Sequence, residues 1–232
     1  MKLSIIVPCY NEEKNIPLIL EKFNAVISRD DIEVLLVNNG STDNSKEMMD
    51  NLVPQYSFAR VVLVEVNQGY GYGISSGLKE TQGEFIGYTH ADMQTDPADV
   101  LKALDIIEQE QNPTHCYVKG DRKGRAVFDQ FFTMGMSAFE TLYLGKKLWD
   151  INAQPNIFHK SFFEKLTNIP KDFSLDLYFL YTAQKQGLKV IRFDVIFPKR
   201  IHGKSSWNTG LSSKWKFIKR TLDFSVKLKK DL

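Results

Sequence analysis

Short apolar runs alternate with amphipathic segments along the first half of the chain. Residues 3–7 and 33–37 are continuous runs of mostly aliphatic side chains, the pattern of strands buried on both faces of a parallel sheet. Between them, apolar side chains recur at helical spacing over residues 16–27. Two further strands, at 61–66 and 84–89, flank a glycine-rich turn and a helix. This alternation predicts an α/β sheet whose ligand crevice lies beyond the carboxyl ends of the strands.

The second half of the chain shows a weaker alternation. Its predicted elements are strands at 115–119, 189–193 and 195–197 and helices at about 128–144 and 174–186. No repeat or low-complexity linker separates the two halves. We therefore expect one domain over residues 1–210, built from halves 1–115 and 116–210, followed by a helix at 211–232.

Composition narrows the classes of function. The chain has 232 residues with 43% hydrophobic side chains, enough for a substantial core. Its 30 basic and 28 acidic residues leave a formal charge of +2, so no nucleic-acid partner is expected. Only two cysteines are present, which favours a reducing compartment over a disulfide or zinc framework. No apolar stretch reaches the roughly eighteen residues of a membrane span, so we expect a soluble or surface-bound protein.

The C-terminal segment combines an apolar stripe with many basic residues. The stripe is Leu211, Trp215, Ile218, Leu222 and Val226, and the charges are Lys214, Lys216, Lys219, Arg220, Lys227, Lys229 and Lys230. A basic amphipathic helix of this kind suits an anionic membrane surface. The alternative is a helix that packs on the domain's own core.

The end of the fourth predicted strand carries the most distinctive polar residues. Alternate side chains project together from an extended backbone, so His90, Asp92 and Gln94 can converge on one cation. A divalent ion there would bridge two phosphates and offset their charge. Asp96 and Pro97, in contrast, have the pattern of a helix start.

Two earlier loops carry groups that suit a nucleoside. Tyr10, Asn11 and Glu12 follow the first strand, and Asn38 and Asn39 follow the second. They offer a flat ring and hydrogen-bonding groups to a base or ribose. The alternatives are a strand-to-helix turn capped by Asn11 and an ordinary Asn-Gly turn. The glycine run at 67–73 does not fit the dinucleotide fingerprint, because it lacks the last glycine and follows the third strand.

Taken in order, residues 5–16, 33–45, 67–78 and 83–97 resemble the successive motifs of family 2 glycosyltransferases. The likeness is greatest to the dolichyl- and polyprenyl-phosphate sugar synthases. It implies a GT-A fold, Rossmann-like, with a mixed, mostly parallel central sheet flanked by helices. It also implies inverting transfer from a nucleoside-diphosphate sugar with Mg²⁺ or Mn²⁺, the first half binding the donor and the second the acceptor.

The resemblance also implies roles for individual residues. Those expected at the donor are Pro8, Tyr10, Glu12, Val37, Asn39, Asn67, His90, Ala91 and Asp92, and those expected at the metal are His90, Asp92 and Gln94. His90 stands where the family has the first Asp of Asp-x-Asp. Asn38 and Asn39 replace its acidic pair.

The resemblance places charged residues of the second half at the phosphates. Arg122 is expected at the acceptor phosphate, which its guanidinium would grip bidentately. Arg200 and Lys204, with His202, would offset charge at the donor diphosphate. The alternative for both segments is a solvated basic surface. Asp176 aligns with the Asp of the family's catalytic Glu-Asp, whose Glu is replaced by Leu175, and is either a general base or an acid in the first turn of a helix.

We predict a polyprenyl phosphate as acceptor, since a lipid phosphate is already an anionic nucleophile and needs no base. One alternative is transfer to a hydroxyl of a lipid-linked glycan or surface polysaccharide, with Asp176 as base. Another is a catalytically inactive nucleotide-binding module. The expected location is cytoplasmic, peripheral at the inner face of a membrane.

Overall fold

A single sheet runs through the part of the chain that the structure describes. A computed structural model describes residues 1–124, 127–198, 200–202 and 211–230. Its strands are β1 (Leu3–Cys9), β2 (Ile32–Asn39), β3 (Ala59–Val64), β4 (Phe85–Tyr88), β5 (Cys116–Lys123), β6 (Asn156–His159) and β7 (Lys189–Ile196). Its helices are α1 (Ile16–Val26), α2 (Ser45–Leu52), α3 (Tyr70–Lys79), α4 (Pro97–Glu108), α5 (Val127–Leu144), α6 (Lys160–Glu164), α7 (Leu175–Lys185) and α8 (Leu211–Lys230).

The strand order is β3-β2-β1-β4-β6-β5-β7. Strands β1 to β4 pair in parallel, and so do β5 and β7. Strand β6 lies antiparallel between β4 and β5. The predicted α/β class with a mixed, mostly parallel sheet is confirmed, and the strands after residue 115 extend the same sheet.

Helices cover both faces of the sheet, which explains the continuous apolar runs. Ile5 packs with Leu20 and Leu104 against α1 and α4. The next residue, Ile6, packs with Leu78 and Phe179 against α3 and α7. Because successive strand side chains point to opposite faces, both positions must be apolar.

Three predicted boundaries are corrected by the sheet pairing. Strand β1 continues past Pro8 to Cys9, because beyond Ile6 it pairs only with β2, and a proline without an N–H is tolerated at such an edge. Residues 189–196 form one strand, not two. The polar loop predicted at 150–156 ends in β6, whose backbone is held by a strand on each side.

Helix α8 packs partly on the domain. The buried Ser225 hydroxyl donates to the buried Glu140 carboxylate at 2.6 Å, and Leu228 joins a cluster with Leu144 of α5. The predicted apolar stripe is therefore divided: Trp215 is 65% exposed, whereas Leu222 is half-buried. Within the described ranges, no helix is long and apolar enough to cross a bilayer.

Candidate active site

The carboxyl ends of β1, β2 and β4 meet at one edge of the sheet because these strands are parallel. Their loops are tied together by hydrogen bonds. The Thr42 N–H donates to Asn11 Oδ1 at 2.8 Å, and the Glu12 N–H donates to Ser45 Oγ at 2.8 Å. Asn11 thus joins two loops and does not cap α1, which begins at Ile16.

Asp92, Gln94 and Arg200 form the centre of this edge. An Arg200 Nη2 atom lies 2.7 Å from Asp92 Oδ2, and Arg200 Nε donates to Gln94 Oε1 at 2.8 Å. The Gln94 amide nitrogen donates to the Pro198 carbonyl oxygen at 2.8 Å, which fixes the direction of Oε1. Two predicted metal ligands therefore point their oxygens at one positively charged group.

The backbone between the two ligands explains how they converge. Met93 has a φ of 61°, the left-handed region that non-glycine residues seldom adopt. Its side chain is buried in the core, while the Gln94 N–H donates to Asp92 Oδ1 at 3.1 Å. Burial of Met93 stabilises a tight turn that holds Asp92 and Gln94 close together.

The two oxygens fit a hard divalent cation, because a guanidinium already stands between them and because carboxylate and amide oxygens are ligands that Mg²⁺ and Mn²⁺ accept. Across the described residues, no three His, Cys, Asp or Glu side chains form a metal cluster. A cation at Asp92 and Gln94 would thus complete its coordination with phosphate or water oxygens.

His90 lies beside Tyr70, with ring centroids 6.4 Å apart, and Tyr70 stacks on Phe173 at 4.6 Å. Burial lowers the pKa of His90, so the imidazole is neutral at pH 7 and keeps a lone pair for a ligand. Its predicted part in metal binding stays a prediction.

The glycine-rich turn before α3 is built on two asparagines. Asn67 Oδ1 accepts from the Gly69 N–H at 2.8 Å, and Asn39 Nδ2 donates to the Gly69 carbonyl oxygen at 3.1 Å. An aspartate at position 39 would place a negative oxygen against that carbonyl, which explains the amide. Asn39 Oδ1 is buried and has no hydrogen-bond partner among the described residues.

The other residues predicted at the donor differ in what they present. Tyr10 is exposed and Pro8 half-buried, whereas the side chains of Val37 and Ala91 belong to the apolar core. Glu12 is half-buried and accepts from Asn15. Burial raises the pKa of Glu12, and the charge of Asp92 raises it further. Val37 and Ala91 can therefore offer a ligand only their backbone.

Arg122 is held by a buried partner. Its Nε atom lies 2.9 Å from Asp150 Oδ1, its Nη2 contacts the same oxygen, and its backbone N–H donates to Asp150 Oδ2 at 2.9 Å. The guanidinium also lies over the Phe197 ring. An acceptor phosphate would therefore bind Arg122 only if it shares the guanidinium with Asp150. Lys204 lies outside the described residues.

Asp176 lies in the interior and is 2% exposed. It accepts hydrogen bonds from Tyr88 Oη at 2.8 Å and from Gln154 Nε2 at 3.2 Å. Burial raises the pKa of Asp176. Both hydrogen bonds end on Oδ1, so this oxygen is already engaged within the protein.

Sequence reasoning missed the polar cluster around Asp176. Lys119, wholly buried, donates to the Ala153 carbonyl at 2.5 Å and to Asn156 Oδ1 at 2.8 Å. Burial lowers its pKa to about 7. Gln154 donates to both Asp176 and Tyr70. A lysine inside an apolar strand, followed by a polar loop with no helix pattern, was the available signal.

Residues 4–167 match the protein family described as glycosyl transferase family 2. That match covers well over half of the chain. The chain belongs to glycosyl transferase family 2. The predicted family is therefore confirmed on residues that include all of β1 to β6 except Leu3, and the Asp92 turn.

Family 2 relatives include transferases named for polyprenyl phosphates. The chain is 24% identical over 214 residues to an undecaprenyl-phosphate 4-deoxy-4-formamido-L-arabinose transferase of Photorhabdus laumondii, covering 89% of this chain and 63% of that protein. It is 34% identical over 115 residues to a dolichyl-phosphate beta-glucosyltransferase of Trichomonas vaginalis, covering 47% of this chain and 34% of that protein. The chain thus spans less than two thirds of the length of these relatives.

Solved structures of the same architecture include glucosyl-3-phosphoglycerate synthase from Mycobacterium tuberculosis with Mn²⁺, UDP-glucose and phosphoglyceric acid. It matches with a TM-score of 0.73 at 18% identity, covering 97% of this chain and 79% of that one. At this identity the likeness establishes the fold, and the predicted GT-A fold is confirmed.

Proposed function

We propose that this chain transfers a sugar, with inversion at the anomeric carbon, from a nucleoside-diphosphate sugar to a polyprenyl phosphate, using Mg²⁺ or Mn²⁺. The observation that carries the donor half is the convergence of Asp92 Oδ2 and Gln94 Oε1 on one cationic group at the edge of the sheet. A bound divalent cation would offset the charge of the departing diphosphate.

The chain's own residues would hold the donor at its base and at its diphosphate. Tyr10, exposed beyond β1, offers its ring to the base. Asn39 Oδ1 is an unpaired acceptor, so a base edge with an N–H, as in uracil or guanine, would satisfy it. Because the atom is buried, the base would reach it only if the glycine turn shifts. Arg200 would move from Asp92 to the diphosphate, supported by His202 and Lys204.

Two observations favour a phosphate acceptor over a hydroxyl acceptor. The curated relatives are named for undecaprenyl and dolichyl phosphates. A hydroxyl nucleophile needs a base in contact with it, and Asp176 is 2% exposed with two hydrogen-bond donors already on its Oδ1. A lipid phosphate would attack without proton transfer. Arg122 would bind it if the ligand competes with Asp150.

A membrane surface on the cytoplasmic side is part of this proposal. Helix α5 exposes Met134, Phe139 and Leu142, and α8 exposes Trp215. Lysines stand at the carboxyl end of α8 and just after α5. Apolar side chains bordered by lysines suit anionic lipid. Co-sedimentation with anionic vesicles, and not with zwitterionic ones, would support binding to an anionic membrane surface.

The test is transfer of labelled sugar from UDP-, GDP- and CDP-sugars to undecaprenyl or dolichyl phosphate in vesicles, with and without Mn²⁺. We expect a lipid-linked product of inverted configuration. Asp92→Asn should lower turnover about a hundredfold or more, since it weakens the cation that stabilises the leaving group. Asp176→Asn should keep turnover within about tenfold, as should Asp50→Asn, a control on the exposed face of α2.

Transfer only to a saccharide hydroxyl, abolished by Asp176→Asn, would replace the lipid-phosphate proposal with the hydroxyl alternative. Nucleotide binding without hydrolysis or transfer to any acceptor would instead indicate a binding module.

A further inference from the structure

Arg200 occupies the two oxygens that the proposed metal site requires. Its Nη2 is 2.7 Å from Asp92 Oδ2 and its Nε is 2.8 Å from Gln94 Oε1. A second hydrogen bond joins the same two segments: the Gln94 side-chain amide donates to the carbonyl oxygen of Pro198, two residues before Arg200. One arginine thus satisfies both predicted ligands, and one ligand anchors the segment that carries the arginine.

We infer that Arg200 is an internal competitor of the divalent cation, so that metal binding and the Arg200 contact with Asp92 and Gln94 exclude each other. The inference rests on the proposed role of Asp92 and Gln94 as metal ligands. It goes further, because it assigns to Arg200 control over when the metal binds.

The exclusion follows from distance and charge. A divalent cation lies about 2.0–2.6 Å from its oxygen ligands. A guanidinium that bridges both oxygens occupies the space in which the cation would contact them, and two cations at that separation repel each other. Arg200 must therefore leave before the cation can use both ligands.

A nucleoside diphosphate changes this balance. Its phosphate oxygens offer Arg200 a bidentate partner and offer the cation further ligands. A ligand that draws Arg200 away raises the fraction of protein able to bind metal, and thereby raises the apparent affinity for metal. Metal and nucleotide should then bind with positive coupling, which is equal for both ligands by linkage.

The experiment measures Mn²⁺ affinity directly, by electron paramagnetic resonance of free Mn²⁺, with and without UDP or GDP. The variants are Arg200→Gln, which removes the competitor, and Arg200→Lys, which keeps one charge but cannot bridge both oxygens in the fork geometry. Arg29→Gln is the matched control. Arg29 pairs with Asp31 and Glu108 and lies just before the amino end of β2, away from the carboxyl ends of the strands. Its replacement changes the net charge by the same amount as Arg200→Gln. Asp92→Asn tests the metal site itself.

We expect Arg200→Gln to bind Mn²⁺ about tenfold or more tightly than wild type without nucleotide, with Arg200→Lys between them and Arg29→Gln unchanged. The nucleotide should strengthen Mn²⁺ binding to wild type more than to Arg200→Gln. Equal Mn²⁺ affinity in wild type and Arg200→Gln, with binding lost in Asp92→Asn, would overturn the competition while keeping the metal site. If Asp92→Asn leaves Mn²⁺ binding unchanged, the proposed metal site fails and the competition fails with it.

Discussion

Two arginine–aspartate pairs lie at the candidate site, and they differ in burial and in the number of contacts. The Arg122 side chain is 9% exposed and its partner Asp150 5%, whereas the Arg200 side chain is 28% exposed and its partner Asp92 9%, so the pairs differ in the burial of the arginine. Asp150 also accepts from the Arg122 backbone. Arg200, in contrast, divides its donors between Asp92 and Gln94.

This difference separates a structural pair from an exchangeable one. Breaking a buried pair leaves one charge without water or partner, at a cost of several kcal/mol. The partly exposed Arg200 side chain is rehydrated when it leaves its partner. We therefore assign Arg122–Asp150 chiefly to holding β5 against the loop at residue 150. The greater exposure of Arg200 agrees with the proposal that it exchanges Asp92 for ligands.

The largest expected effect is the loss of stability when the buried Arg122–Asp150 pair is broken. Asp150→Ala should lower the free energy of unfolding by about 3–5 kcal/mol, because it leaves the Arg122 charge buried and unpaired. Asp92→Ala should cost about 1 kcal/mol or less, since Arg200 stays partly hydrated. Urea unfolding of both variants measures the difference. Equal losses would mean that the two pairs are alike.

A smaller effect is expected in the pH dependence of stability, through the buried Lys119. The pKa of Lys119 is about 7 in the folded chain, against about 10.4 when unfolded, because burial disfavours its charge. Between these values the unfolded chain binds more protons, so stability should rise with pH. From pH 7 to 8.5 this rise should amount to about 1–2 kcal/mol. Lys119→Met should remove it.

Denaturant titrations at several pH values in this range would measure the slope. Lys46→Met, a change at an exposed lysine paired with Asp50, is the matched control and should keep the wild-type slope. The same slope in Lys119→Met as in wild type would show that Lys119 is not responsible.

The smallest effect concerns salt. Double-mutant cycles for each pair, at 0.05 and 0.5 M NaCl, should show a coupling for Arg200–Asp92 that falls by a few tenths of a kcal/mol, because screening acts on partly exposed charges. The coupling for Arg122–Asp150 should change less. A larger salt effect on Arg122–Asp150 than on Arg200–Asp92 would contradict the assignment of Arg122–Asp150 as the structural pair.

The pattern of apolar and polar residues was sufficient to predict much of the fold. The runs that became β1 and β2 were predictable because strands covered on both faces need apolar residues at every position. Strand β6 was not, since its four residues contain only two apolar core positions, Ile157 and Phe158, and take their structure from neighbours on each side.

The sequence by itself determined the family and the strand and helix alternation, and it placed Asp92 and Gln94, the predicted ligand pair, two positions apart, because these features depend on spacing within a few residues. Only the tertiary structure decided how the charges combine. Asp92 meets an arginine 108 positions later, Arg122 meets Asp150, and Asp176 is enclosed by Tyr88 and Gln154. Pairing and burial depend on which strands become neighbours, and no local pattern encodes that order.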